Sequence, residues 1–151
     1  MISAFEHEGA ARDLVHALKY RGLTVFAEMA TDVLVDRVPP LPVVPVPRAW
    51  SRQIVFGVDP AREIGSRLAL RLGVPLWDVL SPPVHSRRRA GGDHSRPAPR
   101  FGAGKGAPGR YLLVDDVVTT GATVLSAAKT LGMGRLALVV AGNVADRCLV
   151  R

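Results

Sequence analysis

Residues 111–124, YLLVDDVVTTGATV, constrain the fold more than any other stretch of the chain. Four apolar residues, Tyr111 to Val114, run into two adjacent carboxylates, Asp115 and Asp116, and then into Val117 and Val118. A continuous apolar run of this kind reads as a strand buried on both faces, a property of parallel sheets covered by helices. The strand is predicted over 111–118, and a helix is predicted from Ala122 to Leu131 immediately after the Thr119-Thr120-Gly121 turn. Two like charges at the end of a buried strand demand compensation, and a ligand rich in hydroxyls would supply it.

The rest of the chain repeats the alternation. Leu14, Val15 and Leu18, with Gly22 as the left-handed stop, predict a helix over 10–21. Thr24 is placed as the N-cap of a second helix to about Arg37, with Val25, Met29 and Val33 on its apolar stripe. Leu41 to Val46 reads as a strand kept short or at an edge by its prolines. Asp59 before Pro60 opens a helix that Ile64, Leu68 and Leu72 carry to Gly73. Further apolar strands are predicted over 74–80 and 135–142. This order implies an α/β fold: one domain over 1–151 with a mostly parallel sheet and helices on both faces.

Composition narrows the function class. The single cysteine, Cys148, excludes an internal disulfide and a thiolate zinc site. No apolar run of roughly 18 residues and no basic-then-apolar leader is present, so a cytoplasmic location is expected. The formal charge of +7 is concentrated between Ser81 and Arg110, where seven basic residues face Asp93 alone. That interval lacks periodicity and is expected to form a flexible basic loop, with Arg87, Arg88 and Arg89 suited to an anionic ligand or nucleic acid.

In parallel sheets ligands bind beyond the carboxyl ends of the strands, which puts Asp115, Asp116 and the threonine turn at the candidate site. A turn that opens a helix presents free backbone N–H groups and the positive end of the helix dipole, which favours a phosphate. Val118, Thr119, Thr120, Gly121, Ala122 and Thr123 are therefore the candidate phosphate-binding residues, and Gly121 allows a left-handed backbone. The carboxylates are acceptors for sugar hydroxyls. Hydroxyls beside a phosphate describe a ribose 5-phosphate. The competing structural reading is a threonine-rich helix start with exposed aspartates. A P-loop is disfavoured because no Gly-Lys-Ser/Thr follows.

YLLVDDVVTTGAT resembles the phosphoribosyl pyrophosphate signature of type I phosphoribosyltransferases, and LVHALKYRG (14–22), VPVPRAW (44–50) and GVDPAREIGSRLA (57–69) resemble the ComF family. The resemblance implies a type I phosphoribosyltransferase-like fold, binding of phosphoribosyl pyrophosphate, and an association with competence and DNA uptake. It gives Asp115 and Asp116 the ribose hydroxyls. It gives the loop Val46, Pro47, Arg48 and Ala49 the pyrophosphate, with Arg48 as an added charge-assisted donor. Magnesium is implied, held mainly by the ligand and water, with no metal site made by the protein alone. The four-cysteine zinc module usual in that family has no counterpart here, and the family's Gly-Phe-Asn-Gln appears as Phe56-Gly57-Val58-Asp59-Pro60. The implied activity is transfer of a phosphoribosyl group to an unspecified acceptor. The alternative is a non-catalytic component of the uptake machinery that binds a nucleotide or single-stranded DNA through the basic loop; a homodimer is left open.

Other polar residues receive structural or surface readings. His16 reads as a partly buried helix residue, His85 and His94 as solvated members of the basic loop, and Lys19 and Arg21 as surface cations. Trp77 is expected in the core, and Trp50 and Phe56 are candidates for stacking on a base.

Overall fold

The computed structural model describes residues 2–6, 25–49, 58–82, 99–104, 106, 109–118, 120–132 and 135–143, with only the backbone of 5, 6 and 135–143. The helix predicted over 10–21, Thr24, Trp50, Phe56, the histidines, Arg87 to Arg89, Thr119 and Cys148 lie outside these residues.

The apolar run at 111–114 forms β5 (Arg110–Asp115), an interior strand. The others are β1 (Ile2–Glu6), β2 (Val43–Pro45), β3 (Leu80–Ser81), β4 (Gly102–Ala103) and β6 (Arg135–Asn143). The main sheet has the order β1-β6-β5-β2 with every pairing parallel. Three helices are described: α1 (Val25–Val35), α2 (Pro60–Leu72) and α3 (Ala122–Leu131). The mixed α/β class with a parallel sheet is the one the sequence predicts. Side chains alternate across β5: Leu112 and Val114 join Val43, α1 and α2, whereas Tyr111 and Leu113 join Val44, Val46 and α3. Both faces of the strand are thus dry, which is why its sequence shows no polar alternation. Among the described residues no helix is long and apolar enough to cross a membrane.

Several boundaries depart from the predictions. β1 was not anticipated; it takes the sheet's far edge through Ile2 opposite Val139 and Ser3 opposite Val140. The strand predicted over 74–80 is only a bridge at Leu76, where Val43 N–H donates to Pro75 O and Trp77 N–H to Val43 O. Beyond it Trp77, Val79 and Leu80 turn onto the α3 face, and β3 pairs antiparallel with β4. The basic interval 81–110 therefore contains β4, and Pro99 O accepts from Ser126 of α3.

α2 follows its capping signals. Asp59 is the N-cap, Pro60 opens the helix, and Gly73 closes it at φ 65°. Val74 N–H returns to Ala69 O in the six-to-one bond of a Schellman end. In α1 the expected stripe is wrong: Val25 is 58% and Met29 43% exposed, while Phe26, Ala27, Ala30, Thr31 and Leu34 are buried. Phe26, Ala30 and Leu34 recur at the same four-residue step, so periodicity alone could not choose between the two stripes. Phe26 supplies the larger apolar surface and the alanines allow close approach to the sheet and α2. Thr31 enters this face at little cost because its hydroxyl donates to Ala27 O at 2.7 Å.

Among the described residues, Tyr111 of β5 buries a polar atom at cost. The Tyr111 hydroxyl is enclosed on the α3 face without a hydrogen-bond partner, and burial pushes its pKa up. Tyr111→Phe removes an unsatisfied group without removing the ring, so the variant is expected to gain about 1 kcal/mol in urea unfolding. A loss of stability would show that the hydroxyl finds a partner in solution.

Candidate functional site at the carboxyl edge of the sheet

Because β2 and β5 run parallel, their carboxyl ends lie together. Val46 N–H donates to Val114 O at 2.8 Å, so the loop 46–49 leaves the sheet beside Asp115 and Asp116. Asp115 is still in register with Val140, but β5 ends there and not at Val118 as predicted. The carboxylates themselves account for the early stop. Asp115 accepts from Asp116 N–H and Asp116 from Val117 N–H, each at 2.9 Å, and these local bonds replace the ladder. Asp115 is 7% exposed and Asp116 is half-buried.

The turn into α3 is as expected. Gly121 is the N-cap at φ 74°, ψ −1°, a left-handed conformation that disfavours any side chain, and its carbonyl accepts from Leu125 N–H at 2.9 Å. Gly121 has no side chain to cap with, and Thr120 Oγ1 accepts from Ala122 N–H at 3.4 Å. Thr120 is exposed, and Ala122 and Thr123 are half-buried. Val118 is a core residue, packed with Val124 and Ala127, so only its backbone is placed to serve a ligand.

The loop 46–49 is less open than the sequence suggests. Val46 N–H is spent on the sheet, and Pro47 has no N–H. Arg48 N–H donates to Asp59 Oδ2 at 2.9 Å. Ala49 is the remaining member, and its N–H makes no bond among the described residues. The Arg48 guanidinium turns back along the chain, with Nη1 at 3.4 Å from Val58 O.

Asp59 is the residue that sequence reasoning missed. It reads there only as a helix cap, which it is: Oδ1 accepts from Arg62 N–H at 3.3 Å. Its second oxygen ties the same carboxylate to the loop, and it is 9% exposed. Burial raises its pKa, the N–H groups of Arg48 and Arg62 oppose the rise, and the nearby Asp116 charge adds to it. Asp59 and Asp116 therefore stand near enough at this edge to feel each other's charge. Beside them, Pro45, Pro47, Asp59, Arg62, Asp78, Leu80 and Pro82 line a cleft of about 220 Å³, bridged by the exposed Arg62–Asp78 pair at 3.0 Å. Among the described residues no group of three or more His, Cys, Asp or Glu side chains is arranged to hold a metal.

The raised pKa sets a pH dependence. A carboxyl whose folded pKa exceeds its unfolded value favours the folded state most when protonated. Its contribution is present below the unfolded pKa and is lost as pH rises through the folded one. Asp59→Asn lacks this titration. The stability difference, variant minus wild type, is expected to climb from acid pH toward neutrality in urea unfolding; a flat difference would refute the raised pKa.

No family model matches the chain, and no curated protein matches it.

Proposed function

We propose that the carboxyl edge of the sheet binds phosphoribosyl pyrophosphate or a related ribose 5-phosphate, on a fold of the type I phosphoribosyltransferase kind related to the ComF proteins. The observation that carries this reading is one continuous arrangement. Two carboxylates end the interior strand, a left-handed glycine opens α3, and the loop of the neighbouring strand lies beside them. Asp115 and Asp116 accept from the ribose 2- and 3-hydroxyls. The 5-phosphate takes the turn from Thr119 to Thr123, where helix N–H groups and threonine hydroxyls donate to it. The pyrophosphate lies toward the loop 46–49.

Magnesium would arrive on the ligand, held mainly by it and by water; when bound it would neutralise charge on the pyrophosphate. In transfer, the bond from C1 to the pyrophosphate oxygen breaks, the leaving group keeps the electron pair, and a nucleophilic acceptor forms the new bond at C1. The chain's part is to fix the ribose and exclude wrong orientations, with the basic segment 81–110 supplying positive charge near the leaving group.

Isothermal titration of phosphoribosyl pyrophosphate with magnesium into the folded protein tests the proposal. Saturable binding that ribose 5-phosphate competes away is expected; its absence overturns the reading. The concentration of basic charge in 81–110 favours a second reading, a component of the DNA-uptake machinery that binds single-stranded DNA. An oligonucleotide titration that weakens steeply with salt, and is lost on replacing Arg87, Arg88 and Arg89 by alanine while small-ligand binding survives, would select that reading.

A further inference from the structure

We infer that Asp59 is the positioning residue of the loop 46–49, transmitting the fixed placement of α2 to the backbone that meets the pyrophosphate end of the ligand. The inference rests on the ribose phosphate reading of this edge. One carboxylate joins the two elements: Oδ1 accepts from Arg62 N–H in the first turn of α2, and Oδ2 accepts from Arg48 N–H in the loop. α2 itself is firmly seated, with Ile64 and Leu68 fully buried against the sheet. The loop's first residue is fixed separately by Val46 N–H on Val114 O. Arg48 is thus held from two sides, by its own N–H and by its guanidinium on Val58 O.

The residue type argues for this role. Serine, threonine or asparagine caps a helix as well as aspartate does, without burying a charge. Asparagine offers one acceptor oxygen and a donor group, and serine a single hydroxyl; only a carboxylate presents two acceptors and no donor. An aspartate here costs desolvation and repulsion from Asp116, and its second acceptor is what that cost maintains. With Arg48 N–H held back, Pro47 and Ala49 are kept in one conformation.

The test compares wild type, Asp59→Ser and Asp59→Asn by isothermal titration with two probes, phosphoribosyl pyrophosphate with magnesium and ribose 5-phosphate. Asp59→Ser retains the cap on Arg62 and loses the tie to Arg48. Its thermal transition is expected to stay near that of wild type. Its affinity for phosphoribosyl pyrophosphate is expected to fall about tenfold, the equivalent of one lost hydrogen bond, while ribose 5-phosphate binding is kept. Asp59→Asn is expected to lose the same selectivity. In the ligand-free protein, amide exchange at Arg48 should quicken in Asp59→Ser. Equal losses for both ligands with a lowered transition would reduce Asp59 to a helix cap. Tighter pyrophosphate binding would make it a competing anion, and either result overturns the positioning role, as does unchanged exchange at Arg48. A folded wild type that binds neither probe overturns the ribose phosphate reading itself, and this role with it.

Discussion

The double variant Asp115→Asn, Asp116→Asn is expected to lose about 100-fold in affinity for phosphoribosyl pyrophosphate, roughly the 3 kcal/mol of two charge-assisted hydrogen bonds. It is also expected to unfold no more readily than wild type. The two expectations have separate causes. Each carboxylate accepts the next residue's N–H, and an asparagine carbonyl can accept the same bond. The Asp116 charge also repels Asp59, whose pKa it helps to raise. Removing it should leave stability level or higher at neutral pH. Affinity falling while the urea midpoint holds or rises is the behaviour of residues kept for a ligand at the fold's expense. If the midpoint falls steeply, the aspartates belong to the architecture, and the structural reading of this turn replaces the binding one.

How far the sequence could be read depended on which forces left a local trace. Asp59-Pro60 and Gly73 mark α2 at both ends because caps act within a few residues of themselves. Gly121 signals its left-handed turn in the same way. The buried face of α1 left no such trace: Val25–Met29 and Phe26–Ala30–Leu34 share one period, and the choice was made by distant surfaces in the sheet and α2. β1 was missed because its strand is defined by pairing with β6, nearly the whole chain away. At the site, Asp115, Asp116 and Gly121 were legible from one contiguous stretch. The second role of Asp59 was not, because its bond to Arg48 spans eleven residues and no capping rule contains it. The sheet and Asp59 take the N–H groups of Val46 and Arg48, and neither bond has a local signal in the sequence.

Gly65→Leu is expected to destabilise the protein by about 3 kcal/mol in urea unfolding. Gly65 lies inside α2, where glycine costs about 1 kcal/mol relative to alanine, so its presence needs a reason on the sheet side. That reason is proximity. A Cβ at this position would stand 3.3 Å from Val43 Cγ1, 3.6 Å from Leu76 Cδ1 and 3.6 Å from Pro45 Cβ. Alanine sets its helix propensity against a shift of a few tenths of an ångström and should come out near neutral. Leucine adds three further carbons where α2 already touches β2, and the helix must lift. Asp59 caps that helix and holds the loop 46–49, so the displacement should also weaken binding of phosphoribosyl pyrophosphate more than of ribose 5-phosphate. A leucine variant within about 0.5 kcal/mol of wild type would mean that α2 is not pressed onto β2.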